Sequence, residues 1–96
     1  MKILLSPHSS TERLNVIKNG DALVVNGKNY DFAPIREGEK LPASATDCLF
    51  LVGEVARVNG DIELTLILPY GPDASPEVAF PKPIYVVEDG PVELPT

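Results

Sequence analysis

The sequence predicts a small all-β domain of mainly antiparallel hairpins and a meander, and three observations carry that expectation. Four turn dipeptides, Asn19-Gly20, Asn26-Gly27, Asn59-Gly60 and Asp89-Gly90, each sit between apolar segments of β character. Such pairs tolerate the positive φ angles of hairpin turns whose twist matches that of the flanking strands. Ten prolines in 96 residues, about twice ordinary usage, favour extended and turn structure. Finally, the apolar residues alternate with a period of two and nowhere sustain the 3.6-residue period of a long helix.

The length allows one hydrophobic core and no second domain, so residues 1–96 are read as a single β domain. It is either a small sandwich or a partly open barrel, with at most a short helical turn. Residues 2–5 supply a short first strand. A two-residue loop at Asn19-Gly20 sets Lys18 opposite Asp21, Val16 opposite Leu23 and Leu14 opposite Val25. The Asn26-Gly27 turn extends this into a three-stranded meander, with Val25 opposite Lys28 and Leu23 opposite Tyr30. The meander's buried face is then Leu14, Val16, Leu23, Val25, Tyr30 and Phe32. Its outer face carries Asn15, Ala22, Val24, Asn29 and Asp31.

The longest hairpin spans residues 49–68 and turns at Asn59-Gly60, which places it at the centre of the fold. Its register aligns Arg57 with Ile62, Val55 with Leu64, Gly53 with Leu66 and Leu51 with Leu68, with Gly53 a candidate bulge. A last hairpin about Asp89-Gly90 sets Val87 opposite Val92, Tyr85 opposite Leu94 and Val86 opposite Glu93. Pro91 and Pro95 cannot donate ladder hydrogen bonds, so this terminal strand is an edge with its prolines turned away from the partner. Two irregular stretches, 34–47 and 69–83, separate these units, and a single helical turn fits near 42–47. The second stretch, PYGPDASPEVAFPKP, holds five prolines in fifteen residues and reads as an ordered Pro-rich loop with few conformers.

Composition narrows the function classes. A net charge of −6 repels a phosphate backbone and an anionic membrane surface, so neither nucleic acid nor membrane is an expected partner. No apolar run approaches the ~20 residues that span a bilayer, and no secretion signal is visible, so a soluble protein is expected. The lone Cys48 forms no intramolecular disulfide and no zinc cluster, which suits a reducing compartment.

Catalytic signatures are missing. His8 is the sole histidine and lies in an amino-terminal segment without the strand-turn-helix setting of a nucleophilic serine. Cys48 follows Asp47, the reverse of the electropositive setting that activates a thiol, and reads as a small buried hydrophobe. The carboxylates at Asp61 and Glu63 read as a solvated strand face. No calcium loop or phosphate-cradling glycine motif occurs. No cofactor, metal site or catalytic residue is therefore expected, and the chain is read as not an enzyme. The Pro-rich loop is the candidate interaction surface, through Tyr70, Pro72, Val78, Phe80 and Pro81. A constrained backbone carrying apolar side chains docks at low entropic cost, although Val78 and Phe80 folded back onto the core is the competing arrangement. The open edge near residues 92–94 offers a further route, strand addition to a second copy.

Several short motifs follow one another along the chain: the amino-terminal LLSPHSS, Asp31-Phe32-Ala33-Pro34, Leu41-Pro42, Pro69-Tyr70-Gly71 and Asp89-Gly90-Pro91. The sequence resembles, over most of its length, a group of small uncharacterised all-β proteins encoded among bacteriophage and prophage tail genes. The resemblance implies a noncatalytic protein-interaction or structural module in tail assembly or the virion. Its partner would be another protein or a second copy of the chain, and its location the cytoplasm of the bacterial host or the virion. A small-molecule or carbohydrate binding module is the alternative.

Overall fold

The computed structural model describes residues 1–95. Its strands are β1 (Lys2–Ser9), β2 (Val16–Asn19), β3 (Ala22–Val25), β4 (Lys28–Asp31), β5 (Lys40–Pro42), β6 (Leu51–Val58), β7 (Asp61–Tyr70), β8 (Ile84–Tyr85) and β9 (Gly90–Pro91). A 3₁₀ turn at Ala43–Ala45 follows β5, and one α-helical turn, α1 (Pro76–Ala79), lies in the Pro-rich stretch. The strands form a five-stranded sheet in the order β5-β6-β7-β1-β8 and a four-stranded sheet in the order β4-β3-β2-β9. The two pack as a sandwich, not a closed barrel.

Alternation of side chains across each strand explains the packing. Ile3, Leu51, Val55, Ile62, Leu64 and Leu66 from the larger sheet meet Val16, Leu23, Val25 and Phe32 of the smaller sheet's meander in one core. Ile3, Leu23 and Leu66 are fully buried, and each side chain of that size contributes about 2 kcal/mol by leaving water. The expected buried face of the meander is thus the one observed, with Leu14 and Tyr30 half-buried. Ala22, expected outside, is also buried.

Two turns form as the sequence predicts. Asn26 and Gly27 have φ of 49° and 86°, and Asn59 and Gly60 have 52° and 84°, the doubly left-handed backbone that a type I′ turn requires. They set Val25 opposite Lys28 and Val58 opposite Asp61.

Other registers are corrected. The β2–β3 turn is centred on Gly20-Asp21, so Asn19 faces Ala22 and Val16 faces Val25. A shift of this size keeps the same residues on the core face and changes only their cross-strand partners. Between β6 and β7 a bulge separates the Val52–Thr65 and Ala56–Glu63 pairs, so Leu51 faces Leu66 and not Leu68. Gly53, with a φ of 71°, supplies the left-handed residue that such an irregularity uses.

The expected hairpin at Asp89-Gly90 does not form. Its two halves go to different sheets: Ile84 and Tyr85 pair antiparallel with β1, while Gly90 and Pro91 pair antiparallel with β2. Residues 86–89 therefore strap one layer to the other. Val92 donates its N–H to the Val16 carbonyl at 2.8 Å, which leaves Pro91 turned outward at a sheet edge as anticipated. The first strand is also longer than expected, and it runs parallel to β7 from Lys2 opposite Glu63 to Ser9 opposite Tyr70.

Asp89 anchors the strap. Its Oδ1 accepts the Gly20 N–H at 2.9 Å and the Lys18 ammonium at 3.2 Å. The Gly20 hydrogen bond first, and then Lys18, hold the Asp89 carboxyl below the usual carboxylate range. A carboxyl with a depressed folded value stabilises when ionised, and that contribution vanishes as pH falls through the folded value. Below about pH 4 the strap should loosen, read as a lower protection factor for the Gly20 amide against its intrinsic exchange rate at the same pH. Asp89→Ala, which removes the acceptor, should lose that protection at neutral pH as well, and a Gly20 amide equally protected in both proteins would contradict the anchoring.

Candidate functional site

The sequence singles out the Pro-rich stretch, and there the chain is held in one conformation by local bonds. After β7 ends at Tyr70, Ala74 donates to the Gly71 carbonyl at 3.2 Å and closes a turn. Ser75 is extended, with φ −71° and ψ 162°, and Pro76 occupies the first helical position, where its missing N–H costs nothing. The Val78 N–H donates to Ser75 O, and the Phe80 N–H to Pro76 O, both at 3.1 Å. This single turn is too short to leave a periodic trace in the sequence, yet it decides which side chains point where.

Val78 is turned inward and buried, whereas Phe80 stands 83 % exposed. Val78 joins Leu68, Tyr70, Leu14 and Leu94 in a cleft of about 340 Å³, and among the described residues the charged side chains lining it are Glu12 and Arg13, of opposite sign. Phe80 lines a neighbouring groove of about 480 Å³ with Pro83, Ile84 and Tyr85, and Pro95 lines both concavities. Of the five residues expected in the interaction surface, Tyr70 and Val78 come together. Phe80 belongs to the adjoining groove, Pro72 is exposed, and Pro81 is half-buried. Leu14 and Leu94 join the site from other segments, and Tyr85 from just beyond the Pro-rich stretch.

Of the side chains weighed for chemistry, His8 lies beside this end, opposite Pro69 on β7. His8 Nε2 lies 3.3 Å from Ser6 Oγ on an exposed stretch of β1. Among the described residues, no carboxylate is hydrogen-bonded to that ring to orient it as a general base requires. Cys48 is buried in the core, with its N–H donated to Thr46 Oγ at 3.3 Å, a position that gives a thiol no access to substrate. No group of three His, Cys, Asp or Glu side chains among the described residues could hold a metal ion. No helix among them is long and apolar enough to cross a membrane.

Fold and site together define a two-layer β-sandwich with an apolar concave end braced by proline. Comparison with protein-family models, curated proteins and solved structures finds no match.

Proposed function

We propose that this chain is a noncatalytic protein-binding module of phage or prophage tail type, and that it grips its partner at the Pro-rich end. The observation that carries the reading is the pairing of a largely apolar cleft, lined by Leu14, Leu68, Tyr70, Val78 and Leu94, with the exposed Phe80 beside it. Exposed aromatic side chains on a braced backbone are what interface hot spots are made of, because little entropy is lost when they are covered. The tail setting is supported by the ordered motifs from LLSPHSS to Asp89-Gly90-Pro91.

A second reading, a small-molecule or carbohydrate binding module, is favoured by the cleft's volume of about 340 Å³, within the range of small-ligand sites. One experiment separates the two. The tagged chain is co-expressed with the proteins of a phage tail operon and purified, in parallel with a Phe80→Ala, Tyr85→Ala variant. A tail protein should be retained by the parent chain and retained at least tenfold less by the variant. Recovery of no tail protein, together with a melting temperature raised by a sugar or metabolite through mass action, would replace the proposal with the second reading.

A further inference from the structure

The three Asn-Gly pairs bring a reaction of their own into the fold. In such a pair the glycine nitrogen can attack the asparagine Cγ: a C–N bond closes a five-membered succinimide, and the side-chain Nδ2 leaves as ammonia. Water then opens the ring at either carbonyl, which puts aspartate or its β-linked isomer in place of asparagine. Glycine favours the attack because no Cβ hinders the approach of its nitrogen. The reaction needs a peptide N–H that can give up its proton and, at the same moment, a carboxamide free to swing over it.

All three asparagines and their glycines are exposed, yet each pair has one of its two reacting groups tied. At the β6–β7 turn the tied group is the nucleophile. Glu37 lies across this turn with both carboxylate oxygens engaged: Oε2 accepts the Asn59 N–H at 3.0 Å and Oε1 the Gly60 N–H at 2.6 Å. The loop that carries Glu37 is itself pinned, since Gly38 donates to the Arg57 carbonyl at 3.2 Å and Glu39 to the Arg36 carbonyl at 2.9 Å. At the β2–β3 turn a carboxylate from a different segment does the same, for Asp89 Oδ1 accepts the Gly20 N–H at 2.9 Å. A carboxylate so placed acts twice. It holds the proton in a charge-assisted hydrogen bond, and its negative charge disfavours the amide anion that would attack. The carboxamides of Asn19 and Asn59 form no hydrogen bond with any described residue.

The turn between β3 and β4 is arranged the other way round. The Gly27 N–H has no partner among the described residues, but the Asn26 carboxamide is fixed at both ends. Its Oδ1 accepts the Asn15 N–H at 2.7 Å, and its Nδ2 donates to the Arg13 carbonyl at 3.0 Å. Cγ is thereby held against residues 13–15 and reaches the glycine nitrogen only if both bonds break.

We infer that the three Asn-Gly pairs are arrested succinimide-forming sites, and that Glu37 and Asp89 guard Asn59 and Asn19 by withholding the attacking N–H. Losing a guard has a structural consequence. The β-linked product adds a main-chain atom to a tight turn, which destroys the register that sets Val58 opposite Asp61. Incubation of the folded protein in mildly alkaline buffer, followed by digestion and tandem mass spectrometry, reads the conversion at each asparagine separately. The parent should convert all three at least tenfold more slowly than the same chain in guanidinium chloride. Glu37→Ala should speed conversion at Asn59 at least tenfold while Asn19 and Asn26 keep the parent's rate. Asp89→Ala should do the same at Asn19 alone, and it carries the test should the first variant fail to fold. Asn26, held by main-chain groups only, is the internal reference in both. Pairs in the folded parent that react as fast as in the denatured chain, or guard variants that leave their own asparagine at the parent's rate, would overturn the inference.

Discussion

Leu66→Ala is expected to cost about 3 kcal/mol of folding stability, the usual toll for emptying a tightly packed leucine site. Leu66 is fully buried on the central strand β7, opposite Leu5 on one side and Leu51 on the other. It also belongs to the cluster that joins the two sheets, so the lost methyl groups leave a void that neither layer can fill alone. For a domain of this length the whole folding free energy is about 5–14 kcal/mol, and a loss of 3 kcal/mol should lower the melting temperature by about 15 °C. Leu49→Ala is the control: that side chain is 89 % exposed, and its truncation should change stability by less than about 0.5 kcal/mol. Equal melting temperatures for the two variants would mean that the core does not lie where the sheets meet.

Arg57→Met should cost a similar amount, about 3 kcal/mol, for an unrelated reason. The guanidinium donates through Nε to the Ile35 carbonyl at 2.6 Å and through Nη1 to the Gly60 carbonyl at 3.0 Å. Through Nη2 it reaches Asp21 Oδ2 at 3.0 Å and the Ala33 carbonyl at 3.4 Å. Its partners therefore come from the β6–β7 turn, the β2–β3 turn and the connection leaving β4, so one planar fork ties both layers together at this end. Methionine keeps the apolar stem but removes every donor. Arg57→Lys should recover no more than about 1 kcal/mol, because a single ammonium cannot reproduce the divergent set of bonds. Asp21→Asn should cost less than either, since Asp21 is 43 % exposed and water can replace its partner. Denaturant unfolding of the three variants checks the order, and a lysine variant as stable as the parent would show that charge alone matters.

How much of this architecture is legible in the chain depends on how local its causes are. The turns at Asn26-Gly27 and Asn59-Gly60 are legible because the dihedrals of two adjacent residues decide them. Asn19-Gly20 carries the same dipeptide, yet the turn moves one residue onward. Gly20 alone takes the left-handed angle there, and the arrangement is fixed from outside, by Asp89 on the Gly20 N–H and by Phe32 donating to the Asp21 carbonyl at 3.1 Å. At Asp89-Gly90 the flanking segments alternate as a hairpin should, but the two sheets compete for them and each takes one. Arg57 was correctly set opposite Ile62 by the turn count. Its clamp was not visible, because three of its four partners lie more than twenty positions away.

The site shows the same division. Proline spacing marks residues 69–83 as ordered, and that is a local property. Val78 buried and Phe80 exposed follow from a four-residue helical turn, which no periodicity analysis can detect. The cleft's other wall is built by Leu14 and Leu94, brought together by the sandwich itself.

The parallel pairing of β1 with β7 has a consequence for the order of assembly. During synthesis the leading strand emerges early, but its ladder begins at Glu63 and its other neighbour at Ile84. Both hairpins that need only nearby residues can close in microseconds, whereas β1 has nothing to bind until β7 has been made. Ordering so remote a contact is entropically slow. Closure of the core therefore waits on this remote pairing, and until β1 docks the inward side of β7 next to Ile3 and Leu5 stays open to solvent.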